Sequence, residues 1–263
     1  MLLHKFEHLI IHRFKITEKE LNYFEKPLDD LLNKAIKHNN EKISFLCWEY
    51  LTCIKIIKKY YFIFDLLKKR KYHEAWNELE KNEILILDLK RNQIDIKNYK
   101  LISYIEEYIQ KFQALYPYRL FISPEYYVTK MRCGICNKIV DPINGCNHIP
   151  GRVYLGRICT QIVEEGNIIS TAVVETPQQK YSVLFDDIDN PAKYELLEYF
   201  IPRLSNPYIY WSYSIRTEYI KDKTYKINDI EKCPCGSKRL YKDCCKAKLP
   251  LKPRPHYEFS KIL

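Results

Sequence analysis

The chain has 263 residues, 43 Lys+Arg against 33 Asp+Glu, and a formal net charge of +10. With 46% hydrophobic and 29% charged residues, this is the composition of one large globular domain or two smaller ones, which excludes a disordered chain. The charge favours anionic partners without fixing a fold. The spacing of the ten cysteines is therefore the most informative functional signal.

The N-terminal MLLHKFEHLIIHRFK lacks the apolar core of a signal peptide, because Lys5, Glu7, His8 and Arg13 interrupt it. His4, His8 and His12 recur every four residues and read as a surface stripe. From Leu28 to Tyr116 there is neither Gly nor Pro. That stretch predicts helices joined by short polar turns, over 16–25, 28–39, 43–70, 72–89 and 97–115. The most apolar of them is broken as a membrane span by Glu49, Lys55, Lys58, Lys59 and Asp65. Glu49, Thr52, Lys55 and Lys59 fall near helical spacing, one wet stripe on an otherwise buried helix. The chain thus reads as cytoplasmic and reduced, with no membrane span and no structural disulfides, and Cys47 and Cys53 read as core. Tyr72, Ala75, Trp76 and Leu79 share one face of an amphipathic helix. Asp88-Leu89-Lys90 and Asp95-Ile96-Lys97 resemble the acid-x-Lys element of a nuclease family, but with no acidic partner upstream they read as a charged helix face or a turn. Pro117 and Pro124 end the helical region.

Beyond Met131 the character changes. RVYL, ICTQIV, IISTAVV and KYSVLF, between Val153 and Phe185, predict a small antiparallel meander. A helix is expected from Pro191 to about Leu204, then a polar linker over roughly 221–231. The fold class is α+β: a helical N-terminal half (1–130), a central zinc-knuckle and β-meander unit with a following helix (131–220), and a C-terminal linker, zinc knob and basic tail (221–263). These segments carry net charges of +5, −2 and +7.

The C-terminal cluster is Cys233-Pro234-Cys235-Gly236-Ser237, then Tyr241-Lys242-Asp243-Cys244-Cys245, spaced C-x-C-x8-C-C. Four thiolates in so short a loop suit tetrahedral zinc, and a segment this small needs metal to fold. Cys233, Cys235, Gly236, Ser237, Tyr241, Cys244 and Cys245 resemble the SEC-C motif, named for the C-terminus of the preprotein translocase motor ATPase. Lys238 departs from it, standing where the family usually has glycine. In the translocase the related module docks a chaperone and ribosomal or membrane surfaces. The resemblance therefore implies recognition, here through Lys238, Arg239, Tyr241, Lys242 and Lys246.

The central cluster is Cys133-Gly134-Ile135-Cys136-Asn137, then Cys146-Asn147-His148, spaced C-x2-C-x9-C-x-H. It is a zinc-knuckle pattern. Asn137 stands where knuckles often carry glycine, and asparagine tolerates the left-handed conformation such a turn demands. HIPGRVYLG and AVVETPQQKYSVLF are similar to a segment of largely uncharacterised bacterial SEC-C proteins. A looser likeness to zinc-knuckle segments of phage head-maturation proteases offers Ser170 and Thr171 but no histidine partner. Cys159 reads as a buried free thiol.

With four protein ligands each, both sites read as closed and structural, whereas catalytic zinc keeps an open position. The expectation is a protein with two zinc ions per chain that acts as a non-enzymatic adaptor, docking a protein partner through its helical half and basic SEC-C module. The alternative is a nucleic-acid- or ribosome-associated factor, in which the tail meets RNA, DNA or another acidic surface and Tyr241 stacks on a base. A third reading is an enzyme with an active site hidden in the helical half.

Overall fold

The computed structural model describes residues 1–140, 145–221, 227–233, 237–246 and 251–262. It is α+β, with helices first: α1 (Leu2–His12), α2 (Glu18–Lys37), α3 (Glu41–Lys68), α4 (Tyr72–Arg91) and α5 (Lys100–Ala114). α3 is the axis. Cys47, Tyr50, Ile54, Ile57 and Ile63 are buried along it. A helix with so little polar face must be covered on most sides, and α1, α2, α4 and α5 all pack on it.

α1 was not among the helices expected. α2 replaces two that were. It opens on a capping box in which Glu20 N–H donates to Thr17 Oγ1 at 3.3 Å and Thr17 N–H donates to the Glu20 carboxylate at 2.7 Å. Pro27, inside α2, marks the expected break. The helix continues because Leu21, Phe24, Leu28 and Ala35 form one buried stripe across the proline. Burying several such side chains, at about 1.5–3 kcal/mol each, outweighs the roughly 3 kcal/mol that an interior proline costs.

The wet stripe expected on α3 is wet only in part. Lys55 is exposed, but Thr52 is buried and Glu49 is only 6% exposed. Thr52 donates to the Trp48 carbonyl at 2.7 Å, and the Tyr99 hydroxyl donates to the Glu49 carboxylate. Burial pushes the Glu49 carboxyl above the ordinary carboxylate range, and the Tyr99 bond offsets only part of that. A carboxyl raised in the folded state contributes stability below its unfolded value of 4.5, and that contribution is lost as pH rises through the folded value. Glu49→Gln, which keeps a partner for Tyr99, is therefore expected to raise stability at pH 7 by about 1 kcal/mol. Urea unfolding at pH 7 and near pH 4 checks this: the gain should vanish at the lower pH.

The chain then forms β1 (Phe121–Cys133), β2 (Ile139–Val140), β3 (Val153–Tyr154), β4 (Arg157–Ile158) and β5 (Gln161–Val174). The expected meander is corrected. β1 and β5 make a long antiparallel ribbon from Phe121↔Val174 to Cys133↔Gln161, bent by register shifts near Glu125, Val128 and Lys130. β2 joins the outer edge of β1 at Met131 and Arg132, while β3 and β4 form a separate two-residue hairpin. Pro124 hid β1 from sequence reading, yet β1 has only one neighbour there, and proline is tolerated on a strand with a free edge. KYSVLF contributes a single bridge, Phe121↔Val183, instead of a strand.

The ribbon stands clear of the helices, since β5 is exposed from Gln161 to Val173. It is held at both ends. Phe121 stacks on Trp76, with ring centroids 6.2 Å apart. Trp76 also meets Tyr116 and Tyr118, and its indole donates to the Lys180 carbonyl at 2.6 Å. At the other end, the Asn92 carboxamide donates to the Gly151 carbonyl (2.9 Å) and accepts from Val153 N–H (3.0 Å), while Leu155 N–H donates to Glu41 (3.0 Å). The helix expected from Pro191 to Leu204 is broken. A 3-10 turn at Pro191–Lys193 precedes α6 (Glu195–Phe200), and a second 3-10 turn at Ile201–Arg203 contains Pro202, which cannot continue an α-helix.

The chain divides into two compact units, Met1–Pro207 and Tyr208–Leu263. The second is built on β6 (Tyr210–Lys221) and β7 (Leu251–Ile262), paired antiparallel from Tyr210↔Ile262 to Lys221↔Leu251. The segment expected as a basic tail is thus a strand for most of its length. Among the described residues, no helix is long and apolar enough to cross a membrane.

Candidate metal centres

Both cysteine clusters lie at or within the connection between two antiparallel strands, β1 and β5 in the first unit and β6 and β7 in the second. In the first unit, Cys133 ends β1. Its N–H donates to the Lys138 carbonyl, and Asn137 N–H donates back to the Cys133 carbonyl, both at 2.9 Å. Asn137 takes the left-handed conformation expected of it, with φ of +61°, and its side-chain oxygen accepts from the Arg132 guanidinium at 2.7 Å. Gly134 N–H donates to the Thr160 carbonyl at 2.8 Å, and a Cβ at Gly134 would lie 2.5 Å from Thr160 Oγ1. Glycine is required there for close approach.

Cys146 and His148 come from the following loop. The Tyr154 hydroxyl accepts from Ile149 N–H at 2.9 Å, and the His148 ring stands edge-on to Tyr154 with centroids 4.6 Å apart. The ligand atoms of Cys133, Cys136, Cys146 and His148 all lie within 4.8 Å of one another. Donors about 2.0–2.3 Å from one ion cannot be much farther apart than this. His148 Nδ1 is buried with no hydrogen-bond partner among the described residues. That is an unusual state for a buried nitrogen and one that a bound ion would relieve. The Cys133 thiol is pulled down to about 6, first by the backbone N–H of Cys136 and with help from that of Ile135, against an opposing desolvation cost. A sulfur that loses its proton so readily is suited to ligation. Cys159 is buried, as expected, but it is not remote: its Sγ lies 3.8 Å from Cys133 Sγ.

In the second unit, the ligand atoms of Cys233, Cys244 and Cys245 lie within 4.8 Å of one another, with the last two sulfurs 3.7 Å apart. Cys235, between Pro234 and Gly236, lies outside the described residues. A bridge between Lys232 and Leu240, with Cys233 N–H donating to the Arg239 carbonyl at 2.7 Å, folds the loop back on itself. A 3-10 turn at Tyr241–Asp243 then presents the Cys244–Cys245 pair. Ser237 Oγ and the Arg239 guanidinium approach Cys244 Sγ at 3.1 and 3.5 Å, favouring the thiolate.

The expected recognition residues divide. Lys238, Arg239, Lys242 and Lys246 are exposed, and Lys246 pairs with Asp229. Tyr241 is only 6% exposed. It packs with Cys233 and Cys245 in the small core of the loop, so its ring is not presented for stacking. Lys238 has φ of +62°. A left-handed conformation costs a side-chain-bearing residue about 1–2 kcal/mol. Lys238→Gly is therefore expected to slow loss of metal from this loop to a chelator by about tenfold, measured as a release rate.

The other motifs acquire structural roles. Asp88 sits on α4 beside Arg91 (3.6 Å), Asp95 accepts from Lys97 N–H to cap a short 3-10 turn, and Ser170 donates to Glu125 across the ribbon (2.9 Å). Sequence reasoning missed Asn92, Glu41 and Lys180, which fix the central unit to the helices. Asn92 and Glu41 bond to backbone groups far away in the chain, and Lys180 offers its own backbone to the side chains of Trp76 and Glu80, pairings that no local pattern marks. Comparison of the chain with family models, curated proteins and solved structures gives no match.

Proposed function

We propose that this protein is a zinc-binding, non-enzymatic adaptor of SEC-C type, cytoplasmic, with two zinc ions per chain. Residues 1–130 would serve as the docking body, 131–220 as the knuckle unit and 221–263 as a basic recognition knob. Cys133, Cys136, Cys146 and His148 would hold one ion, and Cys233, Cys235, Cys244 and Cys245 the other. The observation that carries this reading is the convergence of soft donors in two separate loops. Thiolates and imidazole select zinc over the oxygen-seeking Mg²⁺ and Ca²⁺, and a full set of four protein donors gives stability rather than catalysis.

Two surfaces support docking. Lys238, Arg239 and Lys242 are exposed on the C-terminal loop. On the helical body, a groove of about 530 Å³ lined by Lys55, Lys58, Lys59, Phe62, Lys81 and Leu85 offers an apolar floor, which suits an apolar face of a protein partner. The enzymatic reading is weaker, since three of those lysines are already engaged by carboxylates: Lys58 by Glu25, and Lys59 and Lys81 by Glu78.

Metal analysis of the purified chain should find two zinc ions, and fewer would sink the two-site reading. A native pull-down comparing the full chain with one lacking residues 208–263 tests docking, and identical partner sets would remove the C-terminal unit from recognition. Nuclease treatment of the eluates separates the alternatives, because partners released by nuclease would favour the nucleic-acid reading.

A further inference from the structure

We propose that Cys159 is a metal ligand of the central centre, so that five donors serve four coordination positions and His148 and Cys159 can each complete the set without the other. The inference rests on the reading of that centre as a metal site and goes beyond it by adding a residue outside the C-x2-C-x9-C-x-H pattern.

The first support is distance. Two thiolates about 2.3 Å from one tetrahedral ion have sulfurs about 3.8 Å apart. Cys133 and Cys159 meet that separation at 3.8 Å, close to the 3.7 Å between Cys244 and Cys245 in the other cluster.

The second is how firmly Cys159 is placed. Its N–H donates to the Arg152 carbonyl and its carbonyl accepts from Gly151 N–H, both at 2.8 Å. Thr160, next in the chain, accepts from Gly134 N–H, next to Cys133. The two cysteines are therefore pinned side by side at the end of the β1–β5 ladder, where Cys133 pairs with Gln161. The close approach that requires Gly134 is the approach that brings them together.

The third is that both candidates for the last position are credible. The buried Nδ1 of His148, without a partner among the described residues, argues for the imidazole, and the sulfur separation argues for Cys159. Cys133, Cys136 and Cys146 would be common to both sets. A donor held in reserve beside a filled site would let the ion survive loss of one ligand, or let His148 leave while the ion stays. The competing account is a protonated Cys159 that merely touches the Cys133 sulfur. It leaves only three donors once His148 is removed.

Four full-length chains decide between these accounts: unaltered, His148→Ala, Cys159→Ser, and the double variant. They are compared by zinc per chain and, after exchange for cobalt, by the intensity of the thiolate-to-cobalt charge-transfer band. The expected result is two zinc ions in the unaltered chain and in both single variants, and one in the double variant. The central contribution to the band should be about one-third stronger in His148→Ala (four thiolates) than in Cys159→Ser (three). Loss of the central ion in His148→Ala alone, or its retention in the double variant, overturns the proposal. A chain lacking both Cys133 and Cys136 is the control for the underlying reading. If it binds as much zinc as the unaltered protein, the central metal site itself is disproved, and Cys159 falls with it.

Discussion

Replacing Cys133 and Cys136 together by serine is expected to lower the zinc content from two ions per chain to one and to release the loop between β1 and β5 without unfolding the helices. The pair supplies two of the donors gathered within 4.8 Å, and backbone N–H groups hold the Cys133 thiol below its ordinary range. At most three donors would remain, even counting Cys159. Structural zinc is worth about 10–16 kcal/mol in small domains that fold only with metal, so affinity should fall on the order of a thousandfold or more. The damage should stay local because α3 has its own apolar surroundings, and the Asn92 and Glu41 contacts tie the β3–β4 hairpin to the helices independently of the sulfurs. Hydrogen exchange should therefore rise over 134–160 and remain slow in α3 and α4. Unchanged zinc content would refute the assignment. Global unfolding would show that the ion supports the whole first unit.

Trp76→Ala should be the most damaging single change in the helical body, costing about 3–5 kcal/mol in urea unfolding. Trp76 is almost fully buried among Tyr116, Tyr118 and Phe121. Its indole N–H also holds the Lys180 carbonyl, while Glu80 accepts from Lys180 N–H at 3.1 Å. Removing the ring opens a cavity and unpairs a carbonyl that fixes the segment running beside Phe121. The loss should therefore combine global destabilisation with faster exchange at Ile122 and Leu184, whose N–H groups bond to Ser182 and Leu120 at 2.8 Å. A cost below about 1 kcal/mol would show that the tyrosines close around the gap.

The helical half was legible because its signals are local. A long stretch without Gly or Pro marked α3, α4 and α5, apolar spacing supported α4, and the identities of Cys133, Cys136, Cys146 and His148 marked a cluster that the fold does bring together. Asn137 was legible too, since its side chain is one of the few that accept its backbone conformation. The ribbons were not. β1 contains Pro124, and β7 contains Pro253 and Pro255, residues that locally read as breakers. What makes these segments strands is pairing with partners about 30–50 residues away, and local patterning does not record that. The Glu49 stripe failed for a related reason. Spacing shows that polar residues share a face, but only the arrival of Tyr99 from elsewhere in the chain decides whether that face is wet.

The Phe121↔Val174 pairing places the first and last residues of a 54-residue excursion on neighbouring strands, about 5 Å apart. To the helical body, residues 121–174 are thus an insertion whose two ends already touch, and a joint of a few residues could close the chain behind it. Tyr210↔Ile262 likewise brings the two ends of the second ribbon together. Segments joined this way can be gained, lost or exchanged between proteins without rethreading the rest of the chain. The first unit therefore has the form of a helical scaffold carrying one such cassette.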